Sequence, residues 1–386
     1  MTVLSQFSSS LGGAMYVLLA FLLVLSVVVF IHELGHFLVA RWCGVKVTAF
    51  SIGFGKEIMG FNDRYGTRWR LAWIPLGGYV KFMDDDNAAS VPSRQAQERM
   101  TPEQRAGSFH SKALWQRAAV VAAGPIANFL LAIAIFALMF SLIGVRSTAA
   151  RVDEVVAGMP AAQAGFKVGD VITAIDGRKI ESFTDVLRIV GTSPERELVV
   201  KVDRDGVPVL LKVIPAKQEV SDGFGGKLPK GVIGIRRVTT PQAVETRRAG
   251  PLEAVWLGVK ETQFIITSTL GYLVDVVSGR QSADQLGGPI RIAEVSGQVA
   301  KVGGEAMLNL IAVISVSVGL INLFPIPLLD GGHLLYYGLE AIRRRPLSER
   351  TQEIGFRIGL AIVLMLMIFA TWNDRWIAWR WISGGS

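Results

Sequence analysis

Cysteine is nearly missing from this 386-residue chain, with Cys43 the single thiol, and histidine is scarce at four residues. One thiol closes no internal disulfide and excludes a thiolate-rich metal site, so any metal must be held by histidine and carboxylate. Charge is also thin. Charged residues make up 19% of the chain against 51% apolar, and they are almost absent from several blocks long enough to cross a bilayer. The formal net charge of +8 comes with no RNA- or DNA-binding motif. The excess Lys and Arg therefore reads as cytoplasmic loop charge, and no nucleic-acid partner is expected. Residues 1–14 lack the basic start of a secretory signal, and Phe30-Ile31-His32-Glu33 offers no small-residue cleavage site. The first apolar block is expected to stay as a membrane helix. No internal repeat is present.

Four apolar blocks organise the chain: Met15 to about Ala40, Ala118 to Val145, Met307 to about Leu329, and about Ile354 to Trp372. Between the first two, Phe50 to Phe82 reads as short strands, and Asp84 to Lys112 as a polar, mobile loop. Residues 147–240 are polar, with strand-like alternation such as Leu198-Val199-Val200-Lys201-Val202. Residues 251–300 interleave Trp256, Val259, Phe264 and Ile265 with Glu253, Lys260, Glu261 and Asp275, which predicts a helix lying on a membrane surface rather than a fifth span. The basic 41–117 and 343–350 loops fall on one side of four spans, the cytoplasm. Both termini and the 147–300 insert then lie outside.

His32-Glu33-Leu34-Gly35-His36 matches H-E-x-x-H. Residues four apart on a helix stand one above the other, so both imidazoles can reach one ion, and Glu33 can take a proton from metal-bound water. Three ionisable groups inside an apolar span are costly, which marks them as functional. Zinc in a hydrolytic site takes three protein ligands and leaves one position for water. Asp330, at the end of the third block and at matching membrane depth, is the preferred third ligand, because Gly331-Gly332 allows close backbone approach. His333, three residues on, is its rival. His110, in the polar loop, is expected to be solvated. Pro325 and Pro327 must break the third helix, opening a way in for substrate and water. Asn322 is placed either to bond an extended peptide or to make an interhelical contact.

HELGH at 32–36, GPIANFLLA at 124–132 and NLFPIPLLDGG at 322–332, in that order, resemble the site-2 family of intramembrane zinc metalloproteases, and within it the bacterial regulator-of-sigma-E protease group. The resemblance implies a zinc cofactor held by His32, His36 and Asp330, with Glu33 as general base and Asn322 touching substrate. Leu76-Gly77-Gly78-Tyr79-Val80 resembles the family's membrane-reentrant β-hairpin, so Gly77, Gly78, Tyr79 and Val80 are implied to pair with unfolded substrate. Pro160-Ala161-Ala162, Ala164-Gly165, Gly169-Asp170-Val171-Ile172 and Ile175-Asp176-Gly177 resemble a bacterial PDZ domain, one copy where the common pattern has two. The implied fold is an α-helical polytopic membrane protein with four transmembrane helices. It carries a membrane-associated hairpin at about 50–82, an α+β PDZ domain at 147–240, a membrane-surface segment at 241–304 and a C-terminal membrane half at 305–386. The implied activity is cleavage of single-span membrane proteins, such as anti-sigma factors or remnant signal peptides, in regulated proteolysis at the bacterial inner membrane. The alternative is a catalytically silent PDZ-bearing scaffold; against it, Glu33 and all three ligands are present.

Overall fold

A computed structural model describes residues 3–84, 100–147, 149–180, 182–221, 227–237, 245–280, 283 and 287–374. They form two compact units, one of Met1–Phe136 with Val255–Ser386, the other of Ala137–Ala254. In chain order come α1 (Val3–Trp42), β1 (Val47–Asn62), β2 (Arg68–Phe82), α2 (Pro102–Gly107) and α3 (Leu114–Leu142). The second unit adds β3 (Val145–Ser147), β4 (Glu154–Val155), α4 (Pro160–Gln163), β5 (Val171–Ile175), β6 (Arg178–Lys179) and α5 (Phe183–Gly191). It continues with β7 (Leu198–Arg204), β8 (Val207–Val213), β9 (Ala216–Ser221), β10 (Lys227–Val232), β11 (Ile235–Arg236) and β12 (Glu245–Arg247). Helices α6 (Pro251–Val277), α7 (Pro289–Val302), α8 (Gly304–Asn322), α9 (Asp330–Arg343) and α10 (Glu349–Asn373) follow.

Four helical stretches among the described residues are long and apolar enough to cross a membrane: Gly12–Trp42 of α1, then α3, α8 and α10. They answer to the four expected blocks. In the third, α8 stops at Asn322, ahead of the two prolines expected to break or distort it. Pro325 and Pro327 cannot continue it, and Leu328 sits at φ 115°, a conformation that costs a branched residue about 1–3 kcal/mol and must be held by its surroundings. Part of that holding is visible. A Cβ on Gly331 would run into the carbonyls of Leu323 and Phe324, one on Gly332 into that of Ile326, and one on Gly359 of α10 into that of Pro327. Only glycine lets α9 and α10 close on this loop.

The 47–82 region is not a set of short strands but two long ones, each bent. Ala49–Ile52 pairs on one side with Gly78–Lys81 and on the other with Arg68–Leu71, while Glu57–Asn62 pairs with Arg68–Ala72. Gly53 and Gly55, at φ 88° and 89°, make the bend in β1. The turn is clasped to the end of α1 by Asp63, which accepts from the backbone amides of Tyr65 and Thr67, from Trp69 Nε1 and from Arg41.

The loop expected to be mobile falls partly outside the described residues, at 85–99. Its remainder holds α2, opened by a capping box between Thr101 and Gln104. Asp84 accepts from Ser108 Oγ and from the backbone amides of Phe109 and His110. His110 is therefore half-buried with its ring edge-on to Phe109, not solvated as expected. The stretch read as one amphipathic helix is two, α6 and α7 (residues 241–244, 281–282 and 284–286 of the expected 241–304 segment lie outside the description). α7 packs Gly297 on Val17 of α1, and Asp374 Oδ2 accepts from the Arg291 amide at its N-terminal turn, contacts that the amphipathic pattern did not announce.

In the second unit β6, β5, β7 and β8 form an antiparallel sheet in that order. Asp176-Gly177 and Asp205-Gly206 turn its hairpins with both residues at positive φ, as two-residue hairpin loops require. β7 alternates buried Leu198, Val200 and Val202 with exposed neighbours, and these pack with Val152, Ile172, Ile175 and Val186 of α5 into one core. Ser182 and Asp185 cap α5 reciprocally.

Candidate metal centre

His32 and His36 stand one turn apart on α1, their rings edge to face with centroids 4.8 Å apart. Asp330, the first residue of α9, meets them. Its Oδ2 lies 3.2 Å from His32 Nε2 and 3.5 Å from His36 Nε2, and the two Nε2 atoms are 3.2 Å from each other. Three donor atoms arranged around a tetrahedral ion with bonds of 2.0–2.1 Å would be about 3.3 Å apart, so the cluster has the size of a zinc site. Its chemistry fits as well. Asp330 Oδ2 is buried without a hydrogen bond, despite the two nearby rings. His36 Nδ1 lies 2.8 Å from the carbonyl of Val120, which can only accept, so the proton is on Nδ1 and Nε2 offers its lone pair to the cluster.

The room for this cluster comes from α3. A Cβ on Gly124 would collide with His36 Nε2 and come within 2.9 Å of His32 Cε1. Gly35 does the same in return, since a Cβ there would strike the Ala123 carbonyl. α9 is tied to the start of α3 by Arg117, which bonds both oxygens of Glu340 at 3.2 and 2.6 Å. Asn128, buried on α3, has its side-chain amide 3.2 Å from His32 Nδ1.

Of the residues singled out from the sequence, His32, His36 and Asp330 come together as a possible metal-holding group among the described residues, and His333 is not part of it. Glu33 turns toward β2: a Cβ on Gly78 would lie 3.0 Å from its Cγ, and the backbone of Val80 faces its carboxyl group. Gly78 is also hemmed in by the Ser51 carbonyl and Val29, and Gly77, at φ 152°, by the ring of Phe54. Gly78 thus lets the strand lie close on α1, and Gly77 lets it pass the Phe54 ring of β1. Tyr79 stacks on Phe54 at 6.1 Å. Asn322 ends α8, half-buried, in the chain just before the proline loop. The sequence reading gave no roles to Gly124, Asn128 or Val120. A signal existed for one: an asparagine inside an apolar span is as costly, and so as informative, as the histidines.

A model described as peptidase family M50 matches residues 20–366 of the chain. A protein of Agrobacterium fabrum, provisionally named a zinc metalloprotease, is 52% identical over 354 residues, covering 92% of this chain and 94% of its own. Metalloprotease MmpA of Caulobacter vibrioides is 41% identical over 396 residues, covering 96% and 99%. A provisionally named zinc metalloprotease of Rickettsia conorii is 34% identical over 357 residues, covering 92% and 98%. These matches run through both chain segments that build the metal cluster, and the chain belongs to peptidase family M50.

Proposed function

We propose that this chain is a zinc-dependent endopeptidase that cuts the transmembrane segments of single-span membrane proteins from within the bilayer. The observation that carries the reading is the meeting of His32, His36 and Asp330 from two helices far apart in the chain. When bound, zinc supplies a Lewis acid and a water made acidic near neutral pH. Glu33, beside the ligands on α1, is the base that takes the proton and later returns it to the leaving amine. A transmembrane helix hides its carbonyls in its own hydrogen bonds, so substrate must be extended before attack. Gly78–Lys81 is bonded to β1 along one edge and has no strand on the other among the described residues. An unwound substrate added there would exchange helix bonds for sheet bonds next to Glu33. Asn322, in this reading, bonds the substrate backbone.

In this reading the metal end of the helices faces the cytoplasm of a bacterium, with both termini and the insert on the outer side of its inner membrane, and the basic character of the 41–117 and 343–350 loops supports it. The insert, with its antiparallel sheet and α5, is read as a single PDZ domain that screens ectodomain size. Substrates of the anti-sigma-factor or remnant-signal-peptide type suit this arrangement. The test is Glu33→Gln against wild type on a membrane-embedded reporter, with zinc content measured alongside. Zinc retained and cleavage lowered by about 10²–10⁴-fold or more is expected. Unchanged cleavage removes Glu33 from the mechanism.

A further inference from the structure

His36 has its tautomer fixed by a carbonyl, but the partner of His32 is an amide that could serve the ring in two ways. With Nδ2 of Asn128 turned to His32 Nδ1, the amide donates, and the ring proton is forced onto Nε2, the atom aimed at His36 and Asp330. That orientation also leaves Asn128 Oδ1 buried with no hydrogen-bond partner. The two ends of the amide are nearly the same size. Turning it by 180° brings Oδ1 to the ring and moves the ring proton to Nδ1, with Nδ2 taking the place where Oδ1 stood. Both imidazoles then present a lone pair to the same point, each fixed from behind by a group on α3.

The amide is held for this task. Asn128 is fully buried, its main-chain carbonyl accepts from Ser315 Oγ of α8 at 2.8 Å, and Gly319 lets α8 come close enough that an added Cβ would be 3.2 Å from Asn128 Cβ. α8 thus presses Asn128 against α1. We propose that Asn128 is a positioning residue of the metal site, its side-chain carbonyl taking the Nδ1 proton of His32 so that Nε2 stays free for the ion. This rests on the zinc-peptidase reading and adds to it a residue that touches neither metal nor substrate.

The test measures zinc affinity of the detergent-solubilised full chain by competition with a chelator, for wild type, Asn128→Leu and Asn128→Asp, together with thermal stability of the metal-free proteins. Asn128→Leu keeps the volume and loses the acceptor, so its zinc dissociation constant should rise about 10–100-fold. Asn128→Asp offers the ring acceptors only, as Asn128 Oδ1 does in the proposal, and should hold zinc within about tenfold of wild type. If the Asn128 amide instead donates to the ring, the aspartate would draw the ring proton to Nδ1 and free an Nε2 that wild type keeps protonated, and Asn128→Asp should bind zinc about 100-fold more tightly than wild type. That result overturns the proposal even where Asn128→Leu does not fold. Unchanged affinity in a folded Asn128→Leu overturns it too, whatever its metal-free stability. A wild type that cleaves its reporter without zinc sinks the wider metal reading, an outcome separate from either.

Discussion

In the 137–254 unit the apolar side chains of the sheet core point inward: Leu198, Val200, Val202 and Ile175 are fully buried, and β7 turns Lys201 and Asp203 outward. In α10 of the other unit the order is reversed. Leu364, Leu366, Met367 and Ile368 of α10 are exposed, and only 6% of its most apolar stretch is buried. Where α1, α3 and α8 do meet, they bury Val24, Val28, Val120 and Val316, and with them His32, Asn128, Ser315 and the glycines that let them touch. One region is sorted by water and the other by lipid, in which apolar surface has nothing to gain from contact with more of the same. The lesson is that the same side chain has different value in the two regions. Apolar side chains hold the insert together, while in the membrane unit glycines and a few polar groups join them in holding the helices together.

The sharpest way to break this contrast is to fill a glycine. Gly124→Leu adds the residue that a helix and a bilayer both favour. The structure puts its first carbon onto His36 Nε2. Zinc content and reporter cleavage should both fall by about 10²-fold or more, an effect on the scale of losing a metal contact. Near-normal zinc content would show that α1 and α3 can part at no great cost.

Next in size is the insert. Leu198→Ala should cost about 2–5 kcal/mol, because the sheet core cannot refill the space. Hydrogen exchange of the 137–254 amides in the full chain would read it. A smaller, pH-gated effect comes from Asp170, buried beneath Arg204, whose guanidinium bonds both carboxylate oxygens at 2.8 and 2.9 Å. Burial alone would raise the carboxyl pKa, but the Arg204 bonds and the Lys167 amide outweigh it and hold it below the ordinary aspartate value. Asp170 thus protonates more readily unfolded than folded. Its stabilisation is complete above about pH 4 and is lost as pH falls through the lower folded pKa. Arg204→Leu should lower the insert's stability at pH 7 and flatten its decline in acid; an unaltered acid profile would remove Asp170 from the account.

The two regions also differ in what the chain alone discloses. The metal unit announces itself because costly residues in apolar blocks are rare, so His32, Glu33, His36 and Asp330 stand out, as do the prolines that end α8. What stays hidden there is packing between distant segments. No local pattern says that Gly124 makes room for His36, that Glu33 would face Gly78, or that Asp374 would accept from the first turn of α7. In the insert the division is the same. Alternation in β7 and the Asp-Gly turns make strands legible, whereas their order, β6-β5-β7-β8, depends on pairings that no local period encodes. The bent hairpin was the least legible of all, since its double pairing is set by Gly53, Gly55 and Gly77 and not by any change in apolar spacing.

The smallest effect tests the contrast most cleanly, because it repeats one substitution in the other solvent. Leu366→Ala removes the same atoms as Leu198→Ala, but Leu366 is 47% exposed on α10 where Leu198 is 0%. If lipid surrounds that face, the leucine meets hydrocarbon both in the folded bundle and in a separated helix, and its loss should change stability by no more than about 0.5 kcal/mol. Unfolding of the full chain in mixed micelles of graded denaturing detergent would measure it. A loss as large as that at Leu198 would mean that α10 buries this face against protein, and the inside-out reading of the membrane unit would then fail at the helix where it is most pronounced.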